Sequence, residues 1–449
     1  MKKALLLLPI LMLALAGPAT ASPEQAAALR DTVTNRLGES AVSNDRLRVE
    51  RVPDVTVSEA GGQYRLRIPK LRLAANDGWM VEAPLVEGDG TPQADGSWRL
   101  KLKLSQPLTL YGANGFRLGD IALGRQNLIL SVSGDGRSLI AADIDLGEAK
   151  FTPAMGAGTG SLAALRFILT PRAATGGTWS GQVSLSLDGL SVKDPMGVDR
   201  LAVNRLRLDA SADALDMTRM GALMADGDRA NLDRLARGID ISADIAGLRQ
   251  VRDNGTRTLL DSAKGKLSLT GLNAAKAGLV LDWVHEGLDH TGPGIDPGLL
   301  PTRAELALTG TSLPRELLTG AKPPGGWTPL LASSGSNVRI GRLSLWNAQS
   351  TVLGKGDFRF STSSANGVTG EADLALRGVD RIIGAVNQTM GARGAGLAIG
   401  LYALQGLGRQ EVGEKGTTLQ YRLTMGNDGR VILNGSDATS LFKGMMAFN

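Results

Sequence analysis

Apolar and polar residues alternate through most of this chain. Trp98, Leu100, Leu102 and Leu104 alternate with Arg99, Lys101 and Lys103, the period of a strand with one buried and one solvated face. Tyr64, Leu66 and Ile68 alternate with Arg65 and Arg67, but after Pro69 the apolar set moves to Leu71 and Leu73. A slip of one residue turns strand side chains to the opposite face. The slip recurs in a short phrase: Leu185-Ser-Leu187-Asp-Gly189-Leu190, Leu267-Ser-Leu269-Thr-Gly271-Leu272 and Leu374-Ala-Leu376-Arg-Gly378-Val379. Weaker copies are Ala243-Asp-Ile245-Ala-Gly247-Leu248 and Leu306-Ala-Leu308-Thr-Gly310. Gly271, Gly310 and Gly378 are soon followed by Asn273, Ser312 and Asp380, good helix caps, so these glycines are expected to mark exits from strand to helix. Gly189 and Gly247, where strand-like text continues, are expected to bend the sheet. Asp95-Gly96, Asp135-Gly136, Gly176-Gly177, Asn366-Gly367 and Asp428-Gly429 supply turns between the strands. The expected fold is mainly β (α+β): a long, curved antiparallel meander sheet with several helices packed on it.

Helical spacing is rarer. Residues 23–37 read as one amphipathic helix, capped by Ser22, with Ala28, Leu29, Val33 and Leu37 on one side and Gly38 as the stop. Its polar face mixes charges, which favours docking on the sheet over lying on a membrane. Residues 211–237 are helical in pattern through Leu215, Met220, Leu223 and Met224, with a break near Asp226-Gly227-Asp228. Further helices are expected after Asn273, over 314–318, and after Ser436 or Asp437. Residues 287–301 and 320–335, rich in Gly, Pro and Ser, read as loops. The apolar stretch within 379–408 is bracketed by Arg393, Gln405 and Arg409 and is shorter than a bilayer span, so a helix packed on the sheet is favoured over insertion. A closing hairpin joins 419–425 to 431–433. The expected divisions are 1–21 (leader), 22–195 (β-rich, with the leading helix), 196–300 (with helices) and 301–449 (β-rich, with the apolar helix 379–408). The alternative is one continuous sheet domain over 22–449.

Composition adds a compartment. Lys2 and Lys3 precede an apolar run over 4–16, Gly17-Pro18 break it, and Ala19-Thr20-Ala21 offers small residues, the pattern of a secretory signal cleaved after Ala21. A periplasmic location is expected, with an uncleaved anchor as the alternative. No later stretch is long enough for an integral span after signal cleavage. Without cysteine there is neither a disulfide nor a lipid-modified N-terminal cysteine. Taking Lys2 and Lys3 from the 49 basic residues leaves 47 against 44 acidic, a net charge of +3, too weak to suggest nucleic acid. Aromatics at 4% argue against an outer-membrane barrel with aromatic girdles.

The residues that carry chemistry are few. His285 and His290 are the only histidines, and with Glu286 and Asp289 they form the one cluster of ligand-type side chains. On a helix Glu286 and His290 would share a face, making at best half a metal site; polar residues before Gly292-Pro293 are the simpler reading. No Gly-x-Ser-x-Gly elbow or phosphate-binding Gly-rich loop is present. Asp143 with Asp145, and Asp226 with Asp228, are paired carboxylates of the kind that serve glycosidases or calcium. The first pair alternates with Ile144 and Leu146 as a solvated strand face does, and the second flanks a glycine as turns do. No catalytic residue, metal site or cofactor is expected, and a non-enzymatic protein is.

Several phrases carry a resemblance: the leader, the Leu-x-Leu-x-Gly strands, Leu300-Pro-Thr-Arg-Ala-Glu-Leu306-Ala-Leu308-Thr-Gly-Thr-Ser-Leu313-Pro314, and the closing Asp428-Gly-Arg-Val-Ile-Leu-Asn-Gly435. In these the chain resembles uncharacterised envelope proteins of Gram-negative bacteria, similar in style to the AsmA and TamB group. The resemblance implies a periplasmic place and a sheet forming a groove for lipid acyl chains. The function expected is binding of a hydrophobic ligand, a lipid, for envelope maintenance. The alternative is a structural or adaptor protein that meets envelope proteins through sheet edges. Sequence leaves the oligomeric state open.

Overall fold

In the computed structural model, structure is described for residues 23–440, leaving aside 25, 28, 32, 35–46, 51–52, 61–62, 76–77, 94–96, 133–138, 155–157, 176–177, 217–218, 220–234, 293–299, 320–325, 391–400, 403 and 414–415. The protein is mainly β, an antiparallel meander with helices packed on it. The chain divides into two compact units, one ending at Ser211 and the other beginning at Ala212. The leader lies outside the described residues.

The first unit carries β1 (Leu47–Val49), β2 (Thr56–Ala60), β3 (Gln63–Ala75), β4 (Met80–Pro92), β5 (Trp98–Leu104), β6 (Leu108–Tyr111), β7 (Arg117–Ala122), β8 (Arg125–Val132), β9 (Leu139–Pro153), β10 (Gly160–Thr175) and β11 (Thr178–Lys193). The division falls within β12 (Asp199–Asp216). β5 and β6 follow one another along β4, β7 and β8 return along them, and β9 pairs with both before β10 and β11 continue the meander. Where these strands break, side-chain amides replace the ladder. Gln126 donates from Nε2 to Leu104 O and accepts from Leu104 N, both at 2.8 Å. Gln106 does the same to Leu123, at 2.6 and 2.7 Å. Each carboxamide presents the donor and acceptor that a neighbouring peptide would, so buried Leu104 and Leu123 keep their backbone groups paired.

The slip in the apolar pattern has a backbone cause. In β3 the buried residues run Tyr64, Leu66, Ile68, then Leu71 and Leu73, and Lys70 between them has φ +49°. In β9 Glu148 (φ +55°) follows Ala142, Ile144 and Leu146; in β11 Gly189 (φ +62°) separates Leu185 and Leu187 from Leu190 and Val192. One left-handed residue reverses the alternation, so a shifted sequence keeps both halves of the strand on one face. These positions adjoin across the ladder. Leu85, opposite Pro69, accepts from Ser105 N at 2.8 Å, Gly124 N donates to Gly147 O at 3.1 Å, and Gly189 stands against Ala163. They form a seam across the strands.

The apolar face of β3–β9 is deeply buried. Tyr64 and Trp98 meet edge to face at 4.8 Å and 71°, and Leu29 and Val33 of the N-terminal helix are buried too. The other face carries cross-strand ion pairs, including Arg67–Glu87 at 3.1 Å and Arg72 between Glu82 (2.5 Å) and Glu50 (3.3 Å). Arg72 is held above its ordinary range, Glu82 being the largest cause.

The second unit carries β13 (Gly238–Val251), β14 (Arg257–Thr270), β15 (Lys276–Glu286), β16 (Asp289–Thr291), β17 (Arg303–Pro314), β18 (Asn337–Trp346), β19 (Thr351–Phe360), β20 (Val368–Arg377), β21 (Arg409–Gly413), β22 (Gly416–Met425), β23 (Val431–Leu433) and β24 (Ser436–Asp437). Helices α1 (Glu316–Thr319) and α2 (Trp327–Ser334) interrupt the β17–β18 connection, and α3 (Val379–Met390) the β20–β22 connection. Val379 and Ile383 of α3, joined by Leu404 and Leu407, pack on Leu376, Leu419, Tyr421 and Leu433. The Tyr421 hydroxyl donates to Leu404 O at 3.0 Å, and burial pushes its pKa up.

Several sequence expectations are corrected. Residues 211–216 end β12 and are not helical; backbone bonds from Asp216 N to Leu235 O (2.7 Å) and from Arg237 N to Asp213 O (2.8 Å) outweigh the helix preference of Ala212, Ala214 and Leu215. The rest of the expected helix to 237, with Asp226 and Asp228, lies largely outside the described residues. After Gly271 a turn closed by Ala274 N to Gly271 O (2.9 Å) leads straight into β15, with no helix at Asn273. β17 runs four residues past Gly310, and its left-handed residue is Ser312 (φ +53°). At Gly378 (φ +72°) the strand does give way to α3. The expected loop 320–335 contains α2, which Gly335 ends at φ +64°, and the expected loop 287–301 contains β16. Ser436 and Asp437 pair with β23, and helical residues Thr439 and Ser440 follow as expected, Asp437 Oδ1 accepting from Thr439 N at 2.9 Å.

Candidate ligand-binding surface

The polar candidates resolve into structural roles. His285 sits on β15, buried; Trp283 Nε1 donates to its Nδ1 at 3.0 Å, so Nε2 carries the proton and donates to Pro301 O at 3.1 Å. Glu286 pairs with Arg303 at 3.5 Å, and His290 on β16 bonds Thr258 through Nδ1 at 2.8 Å. In place of a helix on which Glu286 and His290 would share a face, the structure has two strands broken at Gly287. Asp143 and Asp145 face Arg166 at 3.7 Å and Arg125 at 3.0 Å on the ion-paired side of β9. Among the described residues no group of three or more Asp, Glu or His is placed to hold a metal.

The apolar face of the second unit is different in kind from these. Ladder registers align its residues in rows across β13, β14, β15, β17, β18 and β19. One row is Ile239, Leu269, Leu279, Gly310, Val338 and Phe358; the next is Ile241, Leu267, Leu281, Leu308, Ile340 and Gly356; a third is Ala243, Gly265, Trp283, Leu306, Leu343 and Gly354. Most of these side chains are half-buried, Ile241 being 40% and Trp283 38% exposed. The opposite side carries Lys264–Asp244, Lys355–Asp373 and Glu305 between Arg303 (2.7 Å) and Arg342 (2.9 Å). Those two guanidiniums, Arg303 first, hold the Glu305 carboxyl below its usual range. Rings lie over glycines of the neighbouring strand: a Cβ on Gly265 would stand 3.0 Å from the Trp283 ring, and one on Gly370 3.0 Å from Phe358. The apolar floor is thereby closed without side chains rising from it.

The first unit holds a small, open apolar depression beyond its seam. Ile121, Phe151, Leu162, Leu190 and Val192 line it. A polar recess at the start of α3, lined by Arg377, Arg381 and Gln405, is already occupied by internal bonds: Gln405 Nε2 donates to Asp380 at 2.7 Å and Arg377 to Thr351 at 2.9 Å. Neither apolar surface was legible as open in the sequence, because alternation marks an apolar side without showing its cover. No helix among the described residues is long and apolar enough to cross a membrane.

No family model matches the chain, and comparisons with curated proteins and with solved structures gave no match.

Proposed function

We propose that this protein binds an elongated hydrophobic ligand, a lipid or its acyl chains, as a non-enzymatic exported protein of the bacterial envelope. The observation that carries this reading is the half-exposed apolar face of the second unit. At about 4.8 Å per strand the row from Ile241 to Gly356 extends roughly 24 Å, long enough for an acyl chain to lie across it. Finishing the burial of one half-exposed Leu or Ile is worth about 1 kcal/mol, so a ligand over several of them gains several kcal/mol before association costs.

Protein purified without detergent should yield a reproducible lipid on organic extraction and mass spectrometry. After delipidation it should bind a fluorescent fatty acid saturably, and Leu281→Asp or Leu308→Asp should weaken that binding about tenfold or more while leaving the melting temperature near wild type. An empty protein without saturable binding sinks the proposal. A second reading, an adaptor acting by strand addition, is favoured by one observation: every residue of β21 is exposed, Val412 to 81%, at a sheet edge. If Val412→Lys abolishes co-purification of a protein partner while no lipid is found, the adaptor reading replaces the first.

A further inference from the structure

We propose that one end of the first unit, the end bearing Phe116 and Met196, docks on a lipid surface. The proposal deepens the hydrophobic-ligand reading and rests on it for its purpose, though not for its geometry. Among the described residues, the most exposed large apolar side chains of this unit lie on turns at that end: Met196 (90%) and Val198 (50%) between β11 and β12, and Phe116 (71%) between β6 and β7. Ladder pairing puts the turns on the same side, since Gly119 of β7 stands opposite Pro153 of β9, and Gly160 of β10 opposite Val192 of β11. At about 4.8 Å per strand they are separated by roughly 15–20 Å. The β3–β4 turn adjoins them, with Gly78 against Ala113 and Trp79 half-buried next to it.

The two ends of the unit differ in composition. In sequence, the residues joining β2 to β3, β4 to β5, β8 to β9 and β10 to β11, whose strand ends lie away from these turns, include no large apolar residue. Scattered surface apolar residues would show no such preference.

Three features commit the surface to lipid. The side chains project singly from separate turns, which suits insertion into a fluid phase better than contact with a flat protein face. The charges flanking these turns are paired, Arg117 with Asp120, Arg200 with Asp194 at 2.9 Å and Lys193 with Asp199 at 3.8 Å, so attachment is apolar and not electrostatic. The turns also satisfy their own backbone, the main requirement for entering a medium without water. Asp194 accepts from Met196 N (3.0 Å) and Val198 N (2.9 Å), Asn114 accepts from Phe116 N (3.2 Å), and Gly112 N donates to Phe116 O (2.9 Å). Directly behind the turns, Ile121, Phe151 and Val192 line the apolar depression, where an acyl chain leaving the surface would first meet protein.

The test is flotation of the full purified protein with vesicles of phosphatidylcholine and phosphatidylethanolamine, with and without phosphatidylglycerol. Wild type should float equally in low and high salt, and Phe116→Ser with Met196→Ser should reduce vesicle partitioning by about tenfold or more, as expected for large apolar side chains kept in water. The chain has no cysteine, so Met196→Cys and Gln93→Cys accept a polarity-sensitive dye at opposite ends. The dye at 196 should brighten and shift to the blue on adding vesicles, and the dye at 93 should not. The proposal is overturned by wild type that does not float, by a double variant that floats as well as wild type, by binding that high salt abolishes, or by a double variant whose change is loss of a dimer. Protein that carries lipid yet fails to float leaves the ligand reading standing, and protein that floats yet never yields or binds lipid does the reverse.

Discussion

Replacing Gly189 by alanine tests the seam. At φ +62° an alanine costs about 1–2 kcal/mol in backbone energy, from which about 0.4–1 kcal/mol is recovered because the unfolded chain is less free. Its Cβ would also stand 2.8 Å from the Ala163 Cβ, well inside ordinary contact, and overpacking of that kind costs about 1–3 kcal/mol. The expected net loss is about 2–4 kcal/mol. A second substitution separates the terms: Ala163→Gly removes the contact and leaves the backbone cost, so G189A in an A163G background should cost only about 1 kcal/mol. Gly197→Ala, at φ +81° with nothing within 4 Å, should likewise show the backbone cost alone. Because a chain of two compact units need not unfold in one step, the readout should be local: hydrogen exchange of peptides spanning 160–193, with urea unfolding as a check. Unchanged exchange in G189A, or no relief from Ala163→Gly, would refute the assignment of the flip to Gly189.

Three further outcomes are expected. Lys70→Gly at φ +49° relieves about 1–2 kcal/mol of backbone strain against about 0.5–1 kcal/mol of added unfolded freedom, so urea midpoints should rise slightly, opposite in sign to G189A. Gln126→Met keeps the side chain's length but leaves Leu104 N and O without their partners, and should cost about 2–4 kcal/mol, with faster exchange confined to peptides over 100–106 and 121–130. The Asp194 carboxyl is held below its usual range first by Val198 N–H, then by Arg200 and Met196 N–H, so its stabilising effect is present above the ordinary aspartate value of about 3.9 and is lost as pH falls through its lowered value. Exchange in the 193–199 turn should rise in that acidic window in wild type, and a D194A variant that showed the same rise would contradict the assignment.

Much of this fold could be read from residue order, and the failures have definite causes. Alternation in 98–104 and the turns at Asn366-Gly367 and Asp428-Gly429 appear where expected, because strand period and left-handed turn preference are local properties. The slip after Pro69 was visible too, yet its agent, left-handed Lys70, was not, since lysine carries no signal for that conformation. Helical text over 211–216 and near Asn273 became strand, because an antiparallel neighbour supplies hydrogen bonds that propensity cannot count. Gln106 and Gln126 passed unnoticed, for their importance depends on two strands breaking side by side. His285 stood out by type and has a structural place between Trp283 and Pro301. The polar candidates were therefore legible as residues but not as roles, while the apolar surface was legible as a pattern but not as an opening.

The same alternation ends in different exposure in the two units. In β5 the apolar set from Trp98 to Leu104 is buried, while in β15 Leu279, Leu281 and Trp283, at equal spacing, remain half-covered or more exposed. Backbone geometry fixes which side of a strand is apolar, whereas cover comes from elements distant in sequence. Each side chain left half-covered forgoes about 1 kcal/mol, and several together amount to a sizeable part of the roughly 5–15 kcal/mol by which folded domains are stable. Serine or threonine at these positions would keep the strand pattern without that exposed apolar area. The rows therefore make physical sense as a surface completed by something apolar after folding, and this is the ground on which the ligand proposal stands. It carries a thermodynamic consequence. A ligand bound only by the folded chain stabilises by about 2.7 kcal/mol at a hundredfold excess over its Kd. Slower exchange should accompany that gain within 239–245, 265–283 and 338–358, and a fatty acid that raised the melting temperature without slowing those segments would place the binding elsewhere.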